Sequence, residues 1–471
     1  MRMAGEHTNP MDAPGLEASG QQSCSNDLER ISVSIGNYLE EITTRHASPD
    51  ISVGLSIRGV RRFFATHLRP GSGDTQPLSE GTFGANCVFK PMMAAAALEL
   101  AARGRLDPDA SISQYIPELA DTHRTSLIRV RHLLTNTAGY RGFPSFPPLL
   151  NDEQRAHAFS RIRAAISLYW PGSVFSYENS TTALVGEILA RLSNHRVGPL
   201  VRELLFDPIG ISPDVATAPH IADQHGPLEK PLAGLIPRGG MQLGIPDFLT
   251  IAETLAGVNS DHKLQSCPLS ATTLSELHRK VVDIPRTAGS QALSLLPNAT
   301  TTGLFMFKDG FLGYDGMSTT ETLGFRLCPK REVALVLGIR RAARDLRRAL
   351  LRDMLDRIVA IDGRFEGAES NRGHEEAAIH HKDISGYYFG NHGFDAIVRA
   401  SSDSIQVVGL HASANARPMF SISGRMTTHG GATFPSTNAS LDPTFFRYER
   451  TGEPCVMIGM TALKKLPVGL A

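Results

Sequence analysis

The segment PMMAAAALELAARGRL, from Pro91 to Leu106, constrains the fold more than any other part of the chain. It is dominated by strong helix formers, and Gly104 is placed to stop it. Nearly every side chain in it is apolar or small, so the helix is hydrophobic on all sides and needs other elements packed around its whole circumference. Such a helix belongs in the middle of a domain. Its N-terminus then opens onto an internal cleft.

The flanking sequence supplies the packing partners. Leu28, Ile31, Ile35, Leu39 and Ile42 recur every three or four residues, the spacing of an amphipathic helix, and ISVGLSI and RRFFATHL read as strands of a hairpin turning at Gly59. Helical segments follow, among them TALVGEILARLS, and then the strands TGLFMF, TETLGFRL and REVALVLGI. ARDLRRALLRDMLDRIVA closes this domain as a helix with leucines on one side and arginines on the other. That basic side could touch nucleic acid or lipid, but it reads better as a solvated face.

Residues 1–25 are polar, with scattered Gly, Pro and Ser, and are expected to form a disordered arm. The domain spans 26–361, and 362–382, rich in Gly, Glu and His, reads as a linker. Beyond it, 383–471 contains DAIVRA, SIQVVGL, PMFSISG, FFRYER and CVMIGM, short alternating strands of a small antiparallel barrel or sandwich expected to fold independently, and able to wall one side of the cleft.

Composition narrows the function classes. With 471 residues, 41% hydrophobic and 20% charged, the chain can bury a large core without metals or disulfides. Lys plus Arg and Asp plus Glu balance at 47 each, so no global field favours nucleic acid or an anionic membrane. The opening residues lack a signal-peptide pattern, and no run of about 18 apolar residues suggests a membrane span. The expectation is a cytoplasmic enzyme with a small-molecule or carrier-bound acyl donor and a small-molecule acceptor, needing no cofactor. Cys24, Cys87, Cys267, Cys328 and Cys455 are scattered without CxxC pairs and read as free thiols. His374, His380 and His381 fall in the linker, where they read as solvated side chains or a stray metal site.

GANCVFKPMMAAAALEL places Cys87 and Lys90 at the start of the buried helix, three positions apart and on one face. The helix dipole, the ammonium and unpaired backbone N–H groups all stabilise a thiolate there, and those N–H groups can also cradle an oxyanion. Alone, C-x-x-K equally describes a small buried cysteine with a lysine at the helix rim.

The surrounding segments resemble the serine β-lactamase and penicillin-binding-protein superfamily, especially its class C and esterase-related branch, from about Leu28 to Val359. CVFK stands where the family has S-x-x-K. IRVRHLLTNTAGY is similar to a family segment usually reading HLLTHTSG, and His132 falls there at a framework position. PGSVFSYENSTTALVGEIL carries Tyr-x-Asn as Tyr177, Glu178 and Asn179, and RGGMQLGIPDFLTIAETL resembles the Gly-Gly segment that follows.

The resemblance implies an α/β (α+β) fold: an antiparallel sheet flanked by helices with an all-helical insert, followed by a lipocalin-like barrel, which ISGYYFGNHGFDAIVRA also resembles. It gives Cys87 the place of the nucleophile and Tyr177 that of a proton carrier whose phenol is acidified by Lys90. Asn179 takes the place of the residue that orients substrate and lysine. A core tyrosine and a helix-capping asparagine are the alternatives for those two.

The third family motif, a Lys-Thr-Gly or His-x-Gly, is replaced by Tyr314, Asp315 and Gly316. A turn or a substrate-reading role fits these equally. Gly316 permits close approach, the N–H of Met317 would complete an oxyanion hole with that of Cys87, and Asp315 would repel a substrate carboxylate. The implied chemistry is acyl transfer through a Cys87 acyl thioester, from an ester or thioester to an amine or alcohol. Hydrolysis of esters, amides or thioesters and a non-catalytic binding role are the alternatives.

Overall fold

The structure, a computed structural model, describes residues 15–45, 50–66, 82–120, 123–142, 151–193, 197–212, 241–258, 267–286, 296–318, 320–340, 344–362, 381–390, 394–411, 418–426, 432–433, 443–451, 453–458 and 460–465. The first helix, α1 (Gly15–Arg45), starts well inside the stretch expected to be a disordered arm. Its first turns are polar but contain Leu, Glu, Ala and Gln. Good helix formers extend a helix that the packed residues Leu28, Ile31, Ile35 and Leu39 have already nucleated. Residues 1–14 lie outside the described residues, as does most of the expected linker, including His374 and His380.

The hairpin follows as β1 (Asp50–Ile57) and β2 (Val60–Ala65), with Gly59 at φ 76°. Next come β3 (Thr82–Gly84) and the apolar helix α2 (Phe89–Ala102), in which every residue from Phe89 to Leu100 is buried. Gly104 follows it in the left-handed region, at φ 69°. The helical insert includes α3 (Val130–Leu134), α4 (Asp152–Ala164) and α5 (Asn179–Ser193). The chain returns through β4 (Gln242–Gly244), which pairs with β3, to α6 (Ile245–Ala256) and β5 (Lys280–Asp283).

Where TGLFMF was expected as one strand, the chain folds a tight hairpin of β6 (Ala299–Thr301) and β7 (Phe305–Met306). Gly303 causes the break. It takes φ 104°, and a Cβ there would lie 2.3 Å from that of Ala94, so only glycine lets this turn rest on α2. The strands β8 (Leu312–Met317), β9 (Glu321–Cys328) and β10 (Val333–Arg340) and the helix α7 (Arg344–Ile361) complete the unit.

These strands form an eight-stranded antiparallel sheet in the order β2-β1-β10-β9-β8-β7-β6-β5. Side chains alternate between its faces, and the register assigns each helix to a face. A Cβ on Gly54 would meet Ile245 and Leu249 of α6, whereas one on Gly324 would meet Arg347 and Leu351 of α7. The pairings Gly54 with Val336, Gly338 with Leu323 and Gly324 with Leu337 put those two glycines on opposite faces. Every residue of β1 is therefore buried, flanked by β2 and β10 with helices above and below.

A second eight-stranded sheet follows and curls into a half-barrel. It is built from β11 (Gly386–Gly390), β12 (Phe394–Ala400), β13 (Ser404–His411), β14 (Pro418–Met426), β15 (Ala432–Thr433), β16 (Thr444–Arg447), β17 (Pro454–Ile458) and β18 (Thr461–Lys465). Ile384, Tyr388, Val398 and Val407 belong to its own small core. Tyr448, Cys455, Met457 and Ala462, however, belong to the apolar core that surrounds α2. Tyr448 packs edge-on against Tyr169 at 5.4 Å and its hydroxyl accepts from the Trp170 N–H at 3.0 Å, while Arg141 pairs with Asp395 at 2.9 Å. The C-terminal strands thus help close the first unit's core.

Candidate active site

Cys87 lies in a single 3₁₀ turn, Asn86–Val88, that feeds directly into α2. The turn is pinned from several sides. The Ala85 N–H donates to the Met241 carbonyl at 2.8 Å, and the Asn86 side-chain amide donates to the Gly84 carbonyl at 3.0 Å. Asn86 adopts φ 46°, a left-handed conformation that asparagine tolerates better than most residues. Cys87 is therefore presented on a constrained corner at the end of a buried helix.

Lys90 sits in the first turn of α2 and is only 8% exposed. Its Nζ lies 5.1 Å from the centroid of the Tyr177 ring. Burial alone would raise the Cys87 thiol, but the Lys90 charge, hydrogen bonds with Tyr177 and Lys90, and the more distant charge of Arg347 outweigh it. The net result is a thiol below its ordinary value. Cys87, Lys90 and Tyr177 thus form one interacting group.

Tyr177 differs from the expectation of an acidified phenol. Burial, the charge of Cys87 and the neighbouring Tyr314 push its hydroxyl well above the ordinary value. A thiolate nearby disfavours a second anion, so Tyr177 is a protonated donor while Cys87 is ionised. Its place is set by the C-terminal sheet: the Tyr177 N–H donates to the Met460 carbonyl at 2.9 Å, and the Ala462 N–H donates to Ser176 Oγ at 3.2 Å.

The third-motif residues divide between two faces of β8. Tyr314 pairs with Phe325, Asp315 with Gly324 and Gly316 with Leu323, which puts Tyr314 and Gly316 on the α2 side and Asp315 on the α7 side. Asp315 consequently does not face the cleft as a substrate reader. It pairs with Arg326 at 2.8 Å and Arg347 at 3.1 Å. Burial opposes its ionisation, but those two guanidiniums hold its carboxyl far below the usual range. Tyr314 is also not open to a substrate: it is 2% exposed and stacks on Phe305 at 4.4 Å, with its hydroxyl beside that of Tyr177. It touches Tyr177 instead.

Gly316 is where β8 meets Cys87. A Cβ there would stand 2.8 Å from the Ala85 carbonyl oxygen and 3.2 Å from the Cys87 nitrogen, so glycine is required for the strand to lie this close. Met317 ends the strand and is 39% exposed. Asn179 opens α5 and is exposed, with no hydrogen bond to Lys90 among the described residues.

Several site-forming residues have no local sequence signal. Asn136, in a left-handed conformation at φ 54°, accepts through Oδ1 from the Glu178 N–H at 3.0 Å and from Thr181 Oγ1 at 3.1 Å. It thereby locks the Tyr-x-Asn segment, and with Lys90 and Tyr314 it lines a narrow cavity of ≈ 20 Å³, room for about one water. His132 is a framework residue as expected: Nδ1 accepts from the Arg129 N–H at 3.1 Å, and burial and nearby arginines bring its pKa to about 4, so it is neutral near pH 7. Arg347 and Arg348, expected on a solvated helix face, are 2% and 8% exposed.

A family model described as beta-lactamase matches residues 35–337. The chain belongs to the beta-lactamase family. Among its relatives, a candidate D-alanyl-D-alanine carboxypeptidase of Escherichia coli (strain K12) is 25% identical over 124 residues, 24% of this chain and 29% of that protein. Esterase EstB of Burkholderia gladioli is 30% identical over 154 residues, 29% of this chain and 39% of the relative. The matches thus span about a third of the length of these curated relatives. Among solved structures, that of SurE with D-Leu superposes with a TM-score of 0.64 at 20% identity, covering 93% of this chain and 99% of that one. The shared fold therefore extends through the C-terminal sheet. The curated relatives of this beta-lactamase-like chain are hydrolases, and among the described residues no helix is long and apolar enough to cross a membrane.

Proposed function

We propose that this family member carries out acyl transfer through a Cys87 acyl thioester, taking a neutral acyl group from an ester or thioester and passing it to an amine or alcohol. The observation that carries this reading is the placement of Cys87 in the turn feeding α2, with buried Lys90 in the next turn and 5.1 Å from the Tyr177 ring, an arrangement that lowers the thiol. The thiolate attacks the acyl carbonyl, whose π electrons move onto oxygen, toward the N–H groups of Cys87 and Met317. Collapse of the oxyanion expels the alkoxide or thiolate, which takes its proton from Tyr177. Besides burial, the Cys87 charge holds the phenol up, and acylation removes that charge while Lys90 Nζ stays 5.1 Å from the ring centroid. The resulting phenolate then accepts the proton of the incoming acceptor as the acceptor attacks the thioester and Cys87 leaves as thiolate. Protons balance over the cycle, passing between Tyr177, the leaving group and the acceptor.

A thioester is more receptive to amines, relative to water, than an oxygen ester, which favours transfer over hydrolysis. Kinship with an esterase supports the second reading, hydrolysis of the same acyl enzyme. Intact-mass measurement after incubation with a panel of acyl thioesters and activated esters tests both. One acyl mass should appear on the native protein and none on Cys87→Ala, and an added amine should divert product from free acid to amide. Acylation that yields only free acid with every acceptor supports hydrolysis. Undiminished turnover by Cys87→Ala overturns both readings.

A further inference from the structure

The strand that faces the nucleophile is held from behind by a cation. The Arg347 guanidinium, 2% exposed on the first turn of α7, donates to the Gly316 carbonyl at 2.8 Å and pairs with Asp315 at 3.1 Å. The Thr322 hydroxyl also donates to that carbonyl, at 3.2 Å, and in turn accepts from Arg347. On the other side, Gly316 lies against the Cys87 nitrogen. Arg347 is thus one strand's thickness away from the turn that carries the nucleophile.

The Gly316 carbonyl and the Met317 N–H belong to one peptide unit. No cis peptide bond occurs among the described residues, and in a trans peptide the carbonyl and the N–H point in opposite directions. With its carbonyl directed at Arg347 and Thr322, the N–H is directed away from them. It faces the β8 edge beyond Gly313, where β7 has ended and the Cys87 turn packs. A cationic donor on a peptide oxygen draws electron density toward that oxygen and strengthens the N–H at the other end, and such coupling is larger away from water.

We infer that Arg347 is a positioning residue for acyl transfer: through the Gly316 carbonyl it orients and polarises the Gly316–Met317 peptide whose N–H stabilises the oxyanion. This rests on the proposed use of Cys87 as nucleophile. Asp315 serves the arrangement by holding the guanidinium against the strand, and Thr322 supplies the second donor to the same oxygen. The cationic charge of this part of the site lies behind the strand and acts on the developing oxyanion. It does not meet a substrate carboxylate.

The test compares two reactions of the same sulfur. Acylation by a thioester forms an oxyanion, whereas alkylation by iodoacetamide is a direct displacement at carbon and forms none. In the full chain, Arg347→Met and Thr322→Val are compared with the native protein for Cys87 acylation, read by intact mass, and for alkylation on the plateau of its pH profile. Arg347→Met should slow acylation about tenfold or more, below the 10²–10³ lost when an oxyanion donor is itself removed. Its alkylation plateau and donor KM should stay within about twofold. Thr322→Val should fall between, and Arg347→Lys should recover part of the rate. If Arg347→Met is poorly folded, Thr322→Val and Arg347→Lys carry the test, with thermal unfolding as the control. Equal loss in both reactions, or loss in neither, overturns the inference. Failure of the native protein to be acylated while Cys87 still alkylates overturns the acyl-transfer reading instead.

Discussion

The backbone N–H of Tyr177 donates to the carbonyl of Met460, so the tyrosine beside Cys87 is hung on the turn between β17 and β18 of the C-terminal sheet. The neighbouring bond from the Ala462 N–H to Ser176 Oγ makes this a two-point attachment.

Replacing Ser176 with Ala leaves the Ala462 N–H buried without that acceptor. A cost of about 1–3 kcal/mol is expected. Denaturant unfolding should show it as a lower midpoint. Because Tyr177 is the next residue, kcat should fall several-fold while donor KM changes less. An unchanged kcat in a destabilised protein would mean that the attachment serves stability alone.

The Cys87 thiol should react with iodoacetamide at a pH below that of an ordinary thiol, since Lys90 and Tyr177 hold it low against the opposing effect of burial. Lys90→Met removes the largest favourable influence, so the inflection of alkylation rate against pH should move upward. Measured rates between pH 5 and 10 give the sign directly, and an inflection that does not move would remove Lys90 from this role.

At Gly316 even alanine is too large, because the added carbon meets the Ala85 carbonyl and the Cys87 nitrogen, both backbone. Gly316→Ala should cost about 1–3 kcal/mol from overpacking. Acylation should drop by about 10²-fold as β8 is pushed off the nucleophile, a displacement of the order known to be costly in catalysis. Near-native acylation would show that the strand can retreat without consequence.

Asp315→Asn tests whether this residue reads substrate or neutralises arginines. Removing the carboxylate leaves the buried Arg326 and Arg347 without their anion, an expected loss of about 3–5 kcal/mol with donor KM unaffected. Since the folded carboxyl is held far below its unfolded value, its contribution is fully present above about pH 4 and disappears as pH falls through that range. Stability of the native protein should therefore decline more steeply on acidification below pH ~4 than that of Asp315→Asn. Urea midpoints across that range give the comparison. A raised KM with unchanged stability would return Asp315 to the substrate.

How much of this was legible in the sequence depends on the range of the interaction. The buried helix α2 announces itself by composition, and the three-residue spacing of Cys87 and Lys90 fixes their shared face by helix geometry alone. The direction of Asp315 could not be read that way. In a strand it depends on register, and register is set by β9 and the helix behind it. Arg347 was hidden for the same reason: in an Arg-rich amphipathic helix it resembles its solvated neighbours, and its distant partners Asp315, Gly316 and Thr322 make burial tolerable. The raised Tyr177 phenol follows first from its burial, then from the Cys87 charge and the neighbouring Tyr314, and no motif encodes that burial.

The hydrogen bond from Tyr177 to Met460 also has a meaning for synthesis. Cys87, Lys90, Tyr177, Gly316 and Arg347 all leave the ribosome before Met460 does. A nascent chain can already have its reactive thiol and its central helix while the tyrosine still lacks its anchor and the cluster of Tyr448, Cys455, Met457 and Ala462 has yet to cover the core. In the proposed acyl transfer, chains that stop short of β17 and β18 carry a thiol that can be modified but lack the anchored tyrosine needed to pass an acyl group on.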